Sequence, residues 1–148
     1  PFLARVSTQL SLCTNVDKII GGDFNMIEDT TLDRSTPPLT GTPIHRIAAG
    51  LRDWVRSWGL TDVWRIQHPL VKEYSFYSGL HALHVRLDKI VCSVGLIRWF
   101  RHTEYLGRTV SDHSPMLAAL HMGELRPAIP LWRLPTLGLD DTAYREEV

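Results

Sequence analysis

The sequence predicts a layered α/β sandwich with mixed sheets, and three observations predict it. Short apolar runs suited to buried strands recur along the chain. One segment has apolar residues at helical spacing, and polar, Gly- and Pro-rich breaks separate the runs. At 148 residues the chain has room for one domain with a real core. A hydrophobic content of 44% with 22% charged residues is that of a globular protein.

The elements follow in order. Leu3, Val6, Leu10 and Leu12 fit the end of a helix over residues 1–15. Asp17 to Phe24 reads as a short buried strand that stops at Gly21-Gly22, where the backbone can bend and present Asp23 and Asn25. Residues 28–43, rich in Asp, Thr and Pro, form a loop. From about His45 to Trp58, Ile47, Leu51, Trp54, Val55 and Trp58 share one face of a helix that Gly59 ends, with both tryptophans in the core. Leu60–Trp64 is read as extended, and Tyr74–Ser78 as a strand by its aromatic content. Val85–Cys92 alternates with period two, which sends Arg86 and Asp88 to one face. Residues 93–109 hold an apolar knot of Leu96, Ile97, Trp99 and Phe100. His113–Leu120 is the last strand. Pro127, Pro130 and Pro135 mark residues 124–148 as a linker toward a further domain, leaving 1–123 as the folded unit.

Several classes are excluded. No apolar run approaches the roughly 20 residues that span a bilayer, and the start lacks the layout of a signal peptide. Because it begins at Pro1, the chain is read as a fragment of a longer protein. Cys13 and Cys92 are too few for a disulfide framework, have no metal-like pairing, and are expected to be buried thiols. Net charge is zero. Only Lys18, Lys72 and Lys89 of the 16 basic residues are lysines, and arginine is the better bidentate partner of phosphate.

Three acidic pieces carry the chemistry: Gly21-Gly22-Asp23-Phe24-Asn25, Arg86-Leu87-Asp88 and Ser111-Asp112-His113-Ser114. Together they offer carboxylates, a carboxamide and an imidazole, the set that holds a divalent metal and activates water against a phosphodiester. Asp23 and Asn25, two apart on an extended backbone, would point the same way, Asp23 accepting a proton from water and Asn25 donating to a phosphate oxygen. The same residues also suit a plain turn. Asp112 and His113 could divide metal and substrate between them, or form a Ser-Asp turn. Asp88 could orient His113, or pair with Arg86 or Lys89. His81 and His84 have metal-like spacing but lie in a turn-rich segment, while His45, His68, His102 and His121 have no nameable partners.

In this order, the three pieces resemble the C-terminal half of the endonuclease/exonuclease/phosphatase superfamily. Leu32-Asp33-Arg34-Ser35, Thr61-Asp62-Val63-Trp64-Arg65 and Tyr74-Ser75-Phe76-Tyr77-Ser78 are similar to the apurinic-like endonuclease of non-LTR retrotransposons. The resemblance implies half of a four-layer, DNase I-like α/β sandwich. It also implies a metal-dependent DNA-nicking enzyme whose 3′-hydroxyl product primes reverse transcription. In that reading Asp23 orients or deprotonates water, Asn25 holds the phosphate, His113 stabilises its charge, and Asp88 fixes the imidazole. Asp112 belongs to a Mg²⁺ or Mn²⁺ site, and Ser75, Phe76 and Arg86 approach the DNA backbone. The implied partners are DNA and a downstream reverse transcriptase domain, with nuclear action, no membrane and no small-molecule cofactor. The superfamily's other half carries an Asn, a metal-binding Glu and a Tyr before the position of residue 1, so the chain alone is expected to be weak or inactive. A non-catalytic gene remnant, or a phosphoesterase acting on RNA or phosphoinositides, are the alternatives.

Overall fold

A computed structural model describes residues 2–39, 41–108, 110–121 and 123. The expected linker at 124–148 lies outside the described residues. The elements are helix α1 (Phe2–Leu12), strand β1 (Ile19–Asp23), helix α2 (Pro43–Ser57), strand β2 (Leu60–Asp62) and helix α3 (Val63–Gln67). They continue with strands β3 (Phe76–Ser78), β4 (Leu83–Val85) and β5 (Asp88–Ser93), a 3₁₀ turn (Val94–Trp99), and strands β6 (Phe100–Tyr105) and β7 (Met116–Leu120). The central sheet has the order β1-β5-β2, flanked by the hairpin β3-β4 and the pair β6-β7. Every pairing among the described residues is antiparallel.

Helix α2 starts at Pro43, whose fixed φ suits the first helical position, and stops at Gly59, which takes φ +63° and donates its N–H to the Arg56 carbonyl at 2.9 Å. Its buried stripe is Ala48, Leu51 and Val55. Ile47, expected on that face, is instead exposed, because the stripe runs one residue further round. Leu51 and Val55 close on Leu60 and Val91 of the central sheet and on Phe24, just past the end of β1. Trp54 and Trp58 pack against this cluster, and both indole N–H groups donate to Ser7 Oγ, at 2.9 and 3.3 Å, which ties α1 to α2. Val63, Cys92 and Phe100 form a second core on the side of β6 and β7.

Three readings are corrected here. The extended run at 60–64 stops at Asp62, whose carboxylate caps the Arg65 N–H at 3.1 Å and starts α3. The single strand expected over 85–92 is two, broken at Arg86 and Leu87. The Arg86 side chain turns into the interior toward Asp33 and Asp62, while the Leu87 and Asp88 N–H groups turn to the Ser75 hydroxyl. Of the two cysteines, Cys92 is buried, and burial pushes its thiol up to about 11, but Cys13 is exposed just past the end of α1.

Candidate active site

The site grows from the register of β1 on β5. Antiparallel pairing sets Asp23, the last residue of β1, directly opposite Asp88, the first residue of β5. Two carboxylates thus meet at one end of the sheet, although 65 residues apart in the chain. The segment before β7 crosses the same edge. Its Ser114 N–H donates to the Ser75 carbonyl at 2.6 Å, the Tyr77 N–H donates to the Asp112 carbonyl at 3.2 Å, and Phe76 and His113 form a β-bridge.

His113 is thereby delivered to Asp88, with Nδ1 2.7 Å from Asp88 Oδ2. Partial burial pulls the imidazole pKa down. The hydrogen bond and charge of Asp88, with the fields of Asp23 and Asp112, outweigh that and hold the pKa above its ordinary value. The Phe76 ring lies 4.9 Å from the imidazole. Since Nδ1 is taken by Asp88, Nε2 is the atom left for a substrate.

Asn25 does not continue an extended backbone. Its φ is +51°, and its N–H donates to Asp23 Oδ1 at 2.7 Å, so the Asp23-Phe24-Asn25 step is a tight Asx turn. Both side chains are exposed, and the turn rather than strand alternation sets their positions. Phe24, between them, is 2% exposed and anchors the turn in the core.

Two of the residues expected at the DNA backbone are placed elsewhere. Ser75 is fully buried and Arg86 is 1% exposed, so neither offers a face to a strand of DNA. Arg86 Nε lies 2.8 Å from Asp33 Oδ1, and Nη1 lies 2.6 Å from Asp62 Oδ2, off the hydrogen-bond direction and therefore a charge contact. Phe76 is half-buried beside His113, as a packing partner.

Beneath the rim lies a polar cluster that sequence reasoning missed. Asp33, fully buried, accepts from Arg86, from Arg65 Nη2 at 2.7 Å, and from the Glu28 and Asp29 N–H groups at 3.0 and 3.1 Å. Burial pushes its pKa up, but the Arg86 and Lys89 charges and these bonds hold it well below the usual carboxylate range. Lys89, also buried, donates to the Arg86 carbonyl at 2.7 Å, and burial plus the Arg86 charge push its ammonium down to about 8. Tyr105 donates its hydroxyl to the Asp88 carbonyl at 2.6 Å. The sequence signal was Asp62 itself, a charge set between Leu60 and Val63.

Of the remaining histidines, His68 and His84 have packing partners. His68 stacks on Trp64 at 4.7 Å and meets the Thr103 carbonyl, while His84 packs on Tyr77 at 4.6 Å and His81 is exposed. No cluster of three or more His, Cys, Asp or Glu side chains able to hold a metal ion is found among the described residues. Asp112, exposed and hard, suits Mg²⁺, an ion that keeps several waters and needs one or two carboxylates. One exposed carboxylate at the rim can supply at most part of such a site.

The fold is the DNase I-like α/β fold that AP endonucleases share. An AP endonuclease from Archaeoglobus fulgidus superposes with a TM-score of 0.67 at 22% identity, over 80% of this chain and 52% of that one. The Neisseria 3′ phosphatase NExo, bound to a product DNA hairpin, gives 0.59 at 19% identity, over 80% of this chain and 51% of that one. The catalytic domain of Xenopus laevis APE2 gives 0.60 at 21% identity, over 74% and 38%. The chain thus spans about half, or less, of the structures it matches. In sequence it is similar to the transposon TX1 uncharacterized 149 kDa protein of Xenopus laevis, 26% identical over 132 residues, which is 88% of this chain and 10% of that protein. No protein-family model matches the chain. No helix among the described residues is long and apolar enough to cross a membrane.

Proposed function

We propose that the chain carries the catalytic rim of a metal-dependent phosphodiesterase that nicks DNA within a retrotransposon-type polyprotein. The observation that carries this reading is the 2.7 Å Asp88–His113 pair on the strand register that also holds Asp23. Asp23 keeps Oδ1 on the Asn25 N–H and uses Oδ2 to orient or deprotonate the attacking water. Asn25 offers its carboxamide to the scissile phosphate. His113, whose charged form Asp88 favours, places Nε2 against the phosphate, where a positive charge stabilises the negative charge that develops. Asp112 would hold Mg²⁺ or Mn²⁺, which when bound supplies Lewis-acid charge at the phosphate. Ser75 and Arg86 act from below, by holding the segment that carries Asp88. The likeness to a transposon protein supports a downstream reverse transcriptase as partner and the nucleus as the place of action.

The NExo likeness favours a second reading, removal of a 3′-phosphate from DNA. Supercoiled plasmid and a 3′-phosphorylated hairpin separate the two. With Asp112 as the one rim carboxylate assigned to the ion, the chain alone is expected to nick weakly at most, and more as Mg²⁺ rises. The sharper test fuses the chain behind the part of the Archaeoglobus enzyme that it does not match. A folded chimera that nicks plasmid, and loses nicking on Asp23→Ala or His113→Ala, supports the proposal. A folded but inert chimera, or nicking indifferent to both substitutions, overturns it.

A further inference from the structure

The reading above gives Ser75 no chemistry, yet its polar atoms bond both the Asp88 segment and the segment that carries His113. Its N–H donates to the Val85 carbonyl at 3.1 Å, at the end of β4. Its carbonyl accepts the Ser114 N–H at 2.6 Å, one residue past His113. Its Oγ accepts two bonds, from the N–H of Leu87 and of Asp88, both at 2.9 Å, as its two lone pairs allow. The residue is fully buried, so no water can replace the hydroxyl without a rearrangement. Those two N–H groups lie at the break between β4 and β5, where Arg86 has left the strand plane.

We infer that Ser75 is the positioning residue of this site: one hydroxyl holds the Asp88 backbone while the same residue's carbonyl holds the His113 segment, so Ser75 sets the distance between carboxylate and imidazole. The inference rests on the reading that Asp88 and His113 work as a pair, and it deepens that reading. Tyr105 completes the arrangement by capping the Asp88 carbonyl at 2.6 Å. Asp88 is thus held at its N–H by Ser75 and at its C=O by Tyr105, which fixes the backbone from which its carboxylate reaches His113. Sites whose orienting groups are locked in this way keep their geometry without a ligand.

The test reads geometry rather than turnover. In the ¹⁵N-histidine-labelled chain, the Nδ1–H proton bonded to Asp88 should appear as a low-field resonance shielded from solvent exchange, and Asp88→Asn should remove it. Ser75→Ala should speed its exchange about tenfold or more, the equivalent of losing one or two hydrogen bonds, with the remaining amide spectrum preserved. Val55→Ala, a core truncation remote from these bonds, should leave the resonance in place at equal or greater loss of stability. A folded Ser75→Ala chain with an unchanged resonance overturns the inference. Should Ser75→Ala not fold, the wild-type chain decides. Leu87 and Asp88 amides that open together with the His113 proton as urea is raised support it, and amides that exchange freely while that proton stays protected overturn it. Because no substrate enters these measurements, a failed nicking assay sinks the functional proposal and leaves this one standing.

Discussion

Asp33→Ala is the most informative perturbation of the fold, because it removes the counter-charge at the centre of the buried cluster. Asp33 is 0% exposed and faces Arg86, itself 1% exposed, at 2.8 Å, with Arg65 at 2.7 Å and Lys89 at 3.8 Å. Truncating one member of a buried ion pair costs about 3–5 kcal/mol, since the other charge stays in the interior without its partner. Two outcomes moderate this. Asp62 remains 2.6 Å from Arg86 Nη1, and Lys89, already near pKa 8, can release its proton. The loss expected at neutral pH is therefore about 3–4 kcal/mol, a large share of the ~5–15 kcal/mol that a domain possesses. Urea unfolding followed by tryptophan fluorescence measures it, and Trp64, buried with the Arg86 guanidinium 5.4 Å from its ring centre, reports on the cluster itself. Replacing both partners, Asp33→Leu with Arg86→Met, should recover most of the loss, because the desolvation cost leaves with the charges. The sign with pH also follows. The Asp33 pKa is lowered on folding, so its contribution is present above the unfolded value of about 4 and disappears as pH falls through the folded value. Asp33→Ala should thus flatten the acid limb of the stability curve. A loss under about 1 kcal/mol, or an unaltered acid limb, would refute the reasoning and mean that water reaches the cluster.

The other predictions concern two titrating groups. Lys89, whose pKa falls on folding, is charged in the unfolded chain and neutral in the folded one between about pH 8 and 10, so stability should rise across that window. Lys89→Met should abolish the rise, and equal slopes for both chains in urea titrations at pH 8, 9 and 10 would contradict the assignment. His113 behaves oppositely. Its pKa is raised on folding, so the Asp88 contact stabilises fully below about pH 6.5 and is lost as pH rises through the folded value. In Asp88→Asn the imidazole pKa, followed by NMR, should drop below that of the wild-type chain, and an unchanged titration would remove Asp88 from its orienting role.

Much of this was legible because it is local. The apolar stripe of α2 and its stop at Gly59 need only helical spacing and one residue tolerant of positive φ. The rim was legible for another reason: Asp23, Asp88 and His113 each stand at the edge of an apolar run, and antiparallel register carries such positions together. What stayed hidden depends on partners far along the chain. Nothing near Arg86 says that its guanidinium belongs to Asp33 and Asp62, 53 and 24 residues away, so period-two alternation placed it on the open face with Asp88. Asp62 reads as one more strand residue until its carboxylate is seen capping α3. Ser75 was expected at the DNA backbone through the family resemblance alone, and the sequence around it carries no sign that the residue is fully buried.

The same burial explains why the cluster and the rim belong together. Arg86 and Lys89 flank Leu87-Asp88, and Lys89 closes onto the Arg86 carbonyl while the Arg86 N–H donates to the Asp33 carbonyl at 2.9 Å. The charges below thus pin the backbone on both sides of the residue that orients His113. A cation exposed at position 86 would gain a phosphate contact at most, with attraction screened by solvent and salt. Buried, it fixes the direction of a carboxylate 2.7 Å from an imidazole, and a site that must hold its geometry before a substrate arrives gains more from that rigidity.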